Sequence, residues 1–333
     1  MITTPTLFIL GAGASHPYGY PTGAGLRANI VKNFAVDFDR LSGTKPPEMP
    51  MDAEMARERL PDFIKNFDNS SLLSIDKYLA MNPDDQYIGK IAIALNILKS
   101  EKSSCFNEQI KDYTEDWYKY LYNRMTSDFK NPDDHPFFFE NKVAFITFNY
   151  DISLEYYLYN SFCHSFNQEN SVIGNDILMR DKFKKYQTFP IIHVYGSVDS
   201  LLLSDWYTGR NKYRRKFESF TTVENLSKGI KVIGEERDGN SVKDEIKKLF
   251  TACERIFFLG FSYAQENLDA IDLANNIDVR WKIFGTARGM TAREINEARS
   301  RINSNFPNYA KNSGYANPRL FDLDSCALLR EYL

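Results

Sequence analysis

The chain is 333 residues long, which accommodates about two domains and a sizeable hydrophobic core without covalent staples. With 43% hydrophobic and 26% charged residues its composition is globular, which excludes disordered, collagen-like and coiled-coil classes. Lys+Arg 41 against Asp+Glu 44 leaves a net charge of −3, so the balance points to neither a nucleic-acid coat nor a polybasic membrane binder. Cys105, Cys163, Cys253 and Cys326 are spread singly, with no C-x-x-C pair from which to build a zinc ribbon or a thioredoxin-type site. The opening Met1-Ile2-Thr3-Thr4-Pro5 lacks a basic region and is not expected to be a secretion signal. No apolar run approaches the ~18 residues of a membrane helix. These features lead to the expectation of a cytoplasmic protein that binds no membrane.

In chain order, Leu7-Phe8-Ile9-Leu10 is a continuous apolar run ending at Gly11, the pattern of a strand buried on both faces. Leu26, Ile30 and Phe34 then recur at helical spacing after Pro21-Thr22-Gly23. Residues 36–60 read as irregular, because Lys45-Pro46-Pro47 and Met49-Pro50 break regular elements. From Ser70 to Asp128 the pattern is helical. One stripe is formed by Ile88, Ile91, Ala92, Leu95 and Leu98, and another by Tyr113, Trp117, Tyr120, Leu121 and Met125. Residues 40–130 are therefore predicted to form a helical insertion module, and 1–39 with 131–333 the main domain.

Four further strands are predicted: Val143–Phe148 ending in Asn149-Tyr150-Asp151, Ile191–Val194 ending in Tyr195-Gly196-Ser197, Arg255–Leu259 ending in Gly260-Phe261-Ser262, and Trp281–Phe284 ending at Gly285. Thr291-x-x-Glu294 is a capping box for the helix after the last of these. Strands alternating with helices imply an α/β fold with a parallel sheet, and ligands in such sheets bind beyond the carboxyl ends of the strands.

Candidate chemistry clusters at those ends. Gly11-Ala12-Gly13-Ala14-Ser15 suits either close approach to a phosphate or tight-turn packing. His16 stands where a dinucleotide fingerprint has its third glycine, and no Gly-Lys-Ser/Thr follows, so a hydride-transferring dehydrogenase and a P-loop are both disfavoured. Asn149 can hold a water or a ribose hydroxyl, but its neutral amide cannot act as a base. Asp151 reads as a helix cap or a ligand contact. His193, in an apolar strand, reads as a core residue or as a functional one. Gly260 and Ser262 could meet a second phosphate or a ribose. Four scattered histidines without paired acidic ligands give no metal site. The run Arg210, Lys212, Arg214, Arg215 and Lys216, interleaved with Tyr207, Tyr213 and Phe217, reads as a solvated loop or protein contact, so direct nucleic-acid binding is not expected.

The order of these motifs resembles the sirtuin superfamily. The order runs Gly-Ala-Gly-x-Ser, Gly19-Tyr20-Pro21-Thr22-Gly23, Thr147-x-Asn149-Tyr150-Asp151, His193 before Gly196-Ser197, then Gly260-x-Ser262. It is most similar to the bacterial sirtuin-like NAD-hydrolysing branch of antiphage defence, and Ser74-Ile75-Asp76-Lys77-Tyr78-Leu79 is similar to a helical-module segment of that branch. The resemblance covers about residues 6–285. It implies a Rossmann-like parallel sheet flanked by helices. The zinc-binding cysteine pairs of protein-deacylating sirtuins are absent, and Phe148-Asn149-Tyr150-Asp151 stands where they carry Gln-Asn-Ile-Asp.

The resemblance implies NAD⁺ as substrate, with nicotinamide and ADP-ribose released. Gly11, Ala12, Gly13, Ser15 and Thr22 are expected on the cofactor side, with Gly260 and Ser262 closing the ribose–phosphate side and Asp151 at the nicotinamide amide. Asn149 is expected to hold ribose or water, and His193 to act as general base, its ordinary pKa lying near neutrality. The alternatives are an NAD-dependent deacylase and a non-catalytic subunit that binds NAD⁺ or ADP-ribose. Because an unrestrained NADase would starve its own cell, control by homo-oligomerisation or by a separate protein partner is expected.

Overall fold

The computed structural model describes residues 1–43, 51–103, 115–166, 189–198, 219–233, 235, 241–276, 281–306 and 317–333. Cys105 and the basic run at 210–216 lie outside them. Among the described residues six strands form one sheet: β1 (Thr6–Leu10), β2 (Val143–Thr147), β3 (Ile191–His193), β4 (Arg255–Leu259), β5 (Lys282–Thr286) and β6 (Arg319–Phe321). Their spatial order is β3-β2-β1-β4-β5-β6, and every pairing is parallel. This is a Rossmann-like α/β fold, with the order reversing between β1 and β4. All carboxyl ends therefore lie along one edge.

Alternation along the strands divides the core in two. Phe8 and Leu10 face one side of the sheet, and Leu7 and Ile9 the other. On the first side an aromatic row crosses the strands: Phe8 stacks on Phe145 at 5.1 Å and on Phe257 at 5.6 Å, and Phe257 stacks on Phe284 at 5.1 Å. A parallel sheet covered on both faces needs such apolar runs, which is why these strands are legible in the sequence.

The first connection carries a one-turn α1 (Ala12–Ser15) and then α2 (Gly23–Gly43), followed by α3 (Met51–Asn69), α4 (Ile75–Met81), α5 (Gln86–Ser103) and α6 (Trp117–Met125). The expectation of irregular structure over 36–60 is overturned, since α2 runs to Gly43 and α3 begins at Met51. The buried stripe Ile30, Phe34, Phe38 and Leu41 carries α2 onward, and Ala56, Leu60, Phe63 and Phe67 make the matching stripe of α3. Packing of that stripe outweighs Pro61 within α3. α2, α3 and α5 pack together, and Arg59 and Tyr78 both donate to the buried Asp85 at 2.7 Å, fixing α3 and α4.

Beyond β2 come α7 (Ser153–Ser165) and, after β3, α8 (Phe220–Ser227), which packs on α5. The second face of the sheet is covered by α9 (Ser241–Ala252), α10 (Gln265–Ala270), α11 (Leu273–Asn276) and α12 (Ala292–Ser304). The capping box Thr291/Glu294 opens α12, with both reciprocal hydrogen bonds present. α13 (Ser325–Tyr332) closes the chain and packs on α6. β5 continues through Gly285 to Thr286 instead of stopping at the glycine, because Gly285 pairs between Phe258 and Leu320. Among the described residues no helix is long and apolar enough to cross a membrane.

Candidate active site

The glycine loop meets the end of β4 backbone to backbone. Gly11 N–H donates to the Leu259 carbonyl and Gly13 N–H to the Gly260 carbonyl, both at 3.0 Å. Gly260 has φ +57°, a left-handed conformation, and a Cβ there would stand 2.1 Å from Ala14 N. A Cβ on Gly11 would stand 2.5 Å from Gly260 O. These three glycines are thus explained by close packing at the reversal point of the sheet, and the Gly11, Gly13 and Ala14 N–H groups of the loop are already engaged. The Gly260 N–H is held by Thr286 Oγ1 at 2.8 Å, which ties in the end of β5.

On the other side of α1 the loop meets the end of β2. Asn149 Nδ2 donates to Ser15 Oγ at 3.2 Å, across 134 residues of chain. Its Oδ1 is buried, the residue being only 8% exposed, and has no hydrogen-bond partner among the described residues. A buried carboxamide oxygen left unsatisfied costs about 1–3 kcal/mol, so such an atom calls for a ligand or a bound water. The Asn149 N–H is tied to Thr147 Oγ1 at 3.0 Å, which fixes the turn off β2.

Asp151 is buried and accepts from the Ser153 N–H at 3.1 Å and from the Ser153 hydroxyl. Its side chain therefore supports the first turn of α7. Burial raises its carboxyl above the usual range. Hydrogen bonds from Ser153 and Ser15 counter this in part, and the Glu155 charge adds to the rise.

His193 ends β3 in register with Thr147. Its Nδ1 lies 2.9 Å from the Asn149 carbonyl oxygen and its Nε2 2.6 Å from Glu155 Oε1. Burial pulls the imidazole pKa down, but the Glu155 carboxylate, the Asn149 carbonyl and Asp151 outweigh it, and the net shift is upward. Both ring nitrogens are occupied, so the ring has no lone pair free to act as the expected base in this arrangement. The structure does bring Ser15, Asn149, Asp151 and His193 together at one edge of the sheet.

The other expected residues lie along the same edge with local partners. The Thr22 hydroxyl accepts from the Gly25 N–H at 3.2 Å, capping α2. The exposed Ser262 hydroxyl accepts from Asn267 Nδ2 at 3.4 Å, and Asn267 Oδ1 accepts from Tyr195 OH at 3.4 Å. Ser262 is thereby linked to the end of β3. Ala12 sits half-buried at the head of α1.

Sequence reasoning missed the supports. Trp117 Nε1 donates to the Ala14 carbonyl at 2.7 Å, and Tyr118 OH pairs with Ser153 Oγ at 2.7 Å, which in turn donates to Asp151. Tyr150 OH donates to Asp76 on α4, whose carboxyl is raised by burial. Helices from the 40–130 segment thus brace the Asn149–Asp151 turn through Tyr118 and Asp76. Glu155 was also missed. The one available signal was its spacing, four residues after Asp151 at the start of α7. No protein-family model matches the chain, and no curated protein matches it.

Proposed function

We propose that the chain is an NAD⁺ glycohydrolase that breaks the bond between nicotinamide and ribose, releasing nicotinamide and ADP-ribose. The observation that carries this reading is the unpartnered Oδ1 of Asn149, buried beside the Ser15 loop at the carboxyl edge of a sheet of dinucleotide-binding order. A ribose hydroxyl or the attacking water supplies the donor this oxygen lacks. Water adds to the anomeric carbon as the bond to nicotinamide breaks, and the proton it sheds passes to solvent, since both nitrogens of His193 are occupied. Nicotinamide leaves NAD⁺ as a neutral molecule from a cationic precursor, so no acid has to protonate it, and the sugar develops oxocarbenium character in the transition state. The Gly11 and Gly13 N–H groups already donate to Leu259 and Gly260, so diphosphate contact on this loop falls to Ala12. In the biological setting we place the enzyme among regulated effectors of bacterial antiphage defence, restrained in the cell by self-assembly or by a separate partner protein but retaining a measurable basal rate as the purified chain.

Chromatographic assay of NAD⁺ with the purified chain tests the reading. We expect equimolar nicotinamide and ADP-ribose from wild type and loss of at least about a hundredfold in rate for Asn149→Ala. Equal rates in the two folded proteins would remove the assignment. One observation favours a second reading, a subunit that binds NAD⁺ or ADP-ribose without turnover: both nitrogens of His193 are occupied. Tight calorimetric binding of NAD⁺ with no product, in the presence and absence of partners, would select it.

A further inference from the structure

The two groups facing His193 determine where its hydrogens lie. The Asn149 main-chain carbonyl can only accept, so Nδ1 carries a hydrogen. Nε2 lies 2.6 Å from Glu155 Oε1, and two bare lone pairs cannot face each other at that distance, so a proton lies between them. The pair is well shielded, the His193 side chain being 10% exposed and that of Glu155 16%. Glu155 comes from the first turn of α7, and His193 from the end of β3. The ring therefore bridges α7 to the turn that carries Asn149.

We propose that Glu155 is a positioning residue: it fixes the imidazole of His193 as a donor at both ends, and the ring in turn holds the Asn149 main chain so that the carboxamide oxygen keeps its direction. The functional consequence rests on the reading of this edge as an NAD⁺ site, whereas the pairing itself does not. Among the described residues, the charged groups facing the ring are Glu155 on α7 and Asp151 in the preceding turn. Both favour the cation, and Glu155 is the one in direct contact. His193 then serves as a charged strut, and the ring holds its second proton to higher pH than a free imidazole does.

The test is the side-chain ¹⁵N spectrum of the full chain, with the His193 signal identified by its loss in His193→Gln. In wild type the ring stays doubly protonated as pH rises through neutrality. In Glu155→Gln, which keeps the shape and a hydrogen-bonding group, its midpoint falls by about 1–3 pH units. Should that variant fail to fold, Glu155→Ser, which also removes the carboxylate, is read the same way. In parallel, the pH–rate profile of NAD⁺ cleavage, flat near neutrality in wild type, acquires a slope there in Glu155→Gln. A ring that titrates identically with and without the Glu155 carboxylate overturns the proposal. The spectrum is recorded without NAD⁺, so a chain that proves not to bind NAD⁺ refutes the reading of the site and leaves the pairing of Glu155 with His193 to be decided by the titration alone.

Discussion

At Asn149 the carboxamide donates to Ser15 while its oxygen stays buried and unmatched. A residue kept for folding would not leave that acceptor empty. Asn149→Ala therefore removes an unsatisfied group along with one hydrogen bond, and the two effects oppose each other. Urea unfolding should show a stability change of less than about 1 kcal/mol. The His193–Glu155 pair has a different signature. Its folded pKa lies above the ordinary value, so the stability it contributes is fully present below about pH 6.5 and is lost as pH rises through the raised folded midpoint. The stability difference between wild type and Glu155→Gln should accordingly be larger at mildly acidic pH than at alkaline pH. Equal differences at both ends would mean that the pair carries no charge.

Among the elements, the glycine loop and the end of β4 are the most sterically constrained. Gly260→Ala forces a side chain into a left-handed backbone and against Ala14 N, at 2.1 Å, with backbone on the opposing side that cannot yield cheaply. We expect a loss of several kcal/mol, about 3 or more, in chemical denaturation. α6 acts more gently. Tyr118→Phe removes the hydroxyl that pairs with Ser153 and so leaves Asp151 less supported. A loss of about 1 kcal/mol in stability is expected.

The strands show what local pattern can and cannot reveal. Val143–Thr147 and Arg255–Leu259 were readable because strands buried on both faces are apolar throughout. Arg319–Phe321 was not, because its apolar pair Leu320-Phe321 is bounded by Arg319 and Asp322, whereas the equally short edge strand β3 lies in the longer apolar run Ile191–Val194. The end of α2 and the start of α3 were hidden by the prolines at 46, 47 and 50, which dominate the local signal although the stripes on either side are intact. At the site, Ser15, Asn149 and His193 stood out because each ends a readable element. Glu155, Tyr118 and Asp76 did not, since their roles depend on which helices the fold brings against the turn.

For the whole molecule, one parallel sheet gathers distant strand ends at a single edge, and helices from the 40–130 segment brace that edge through Tyr118 and Asp76. Such bracing gives an assembly or partner contact on those helices a physical route to the Asn149–Asp151 turn. The proposed site stands or falls on whether NAD⁺ completes Asn149 Oδ1, and calorimetric titration of NAD⁺ into wild type and Asn149→Ala addresses this without requiring turnover. Saturable binding to wild type is expected, weakened about tenfold or more in the variant, as loss of a buried hydrogen bond to ligand requires. Identical affinities in the two proteins, or no binding to wild type, would contradict it.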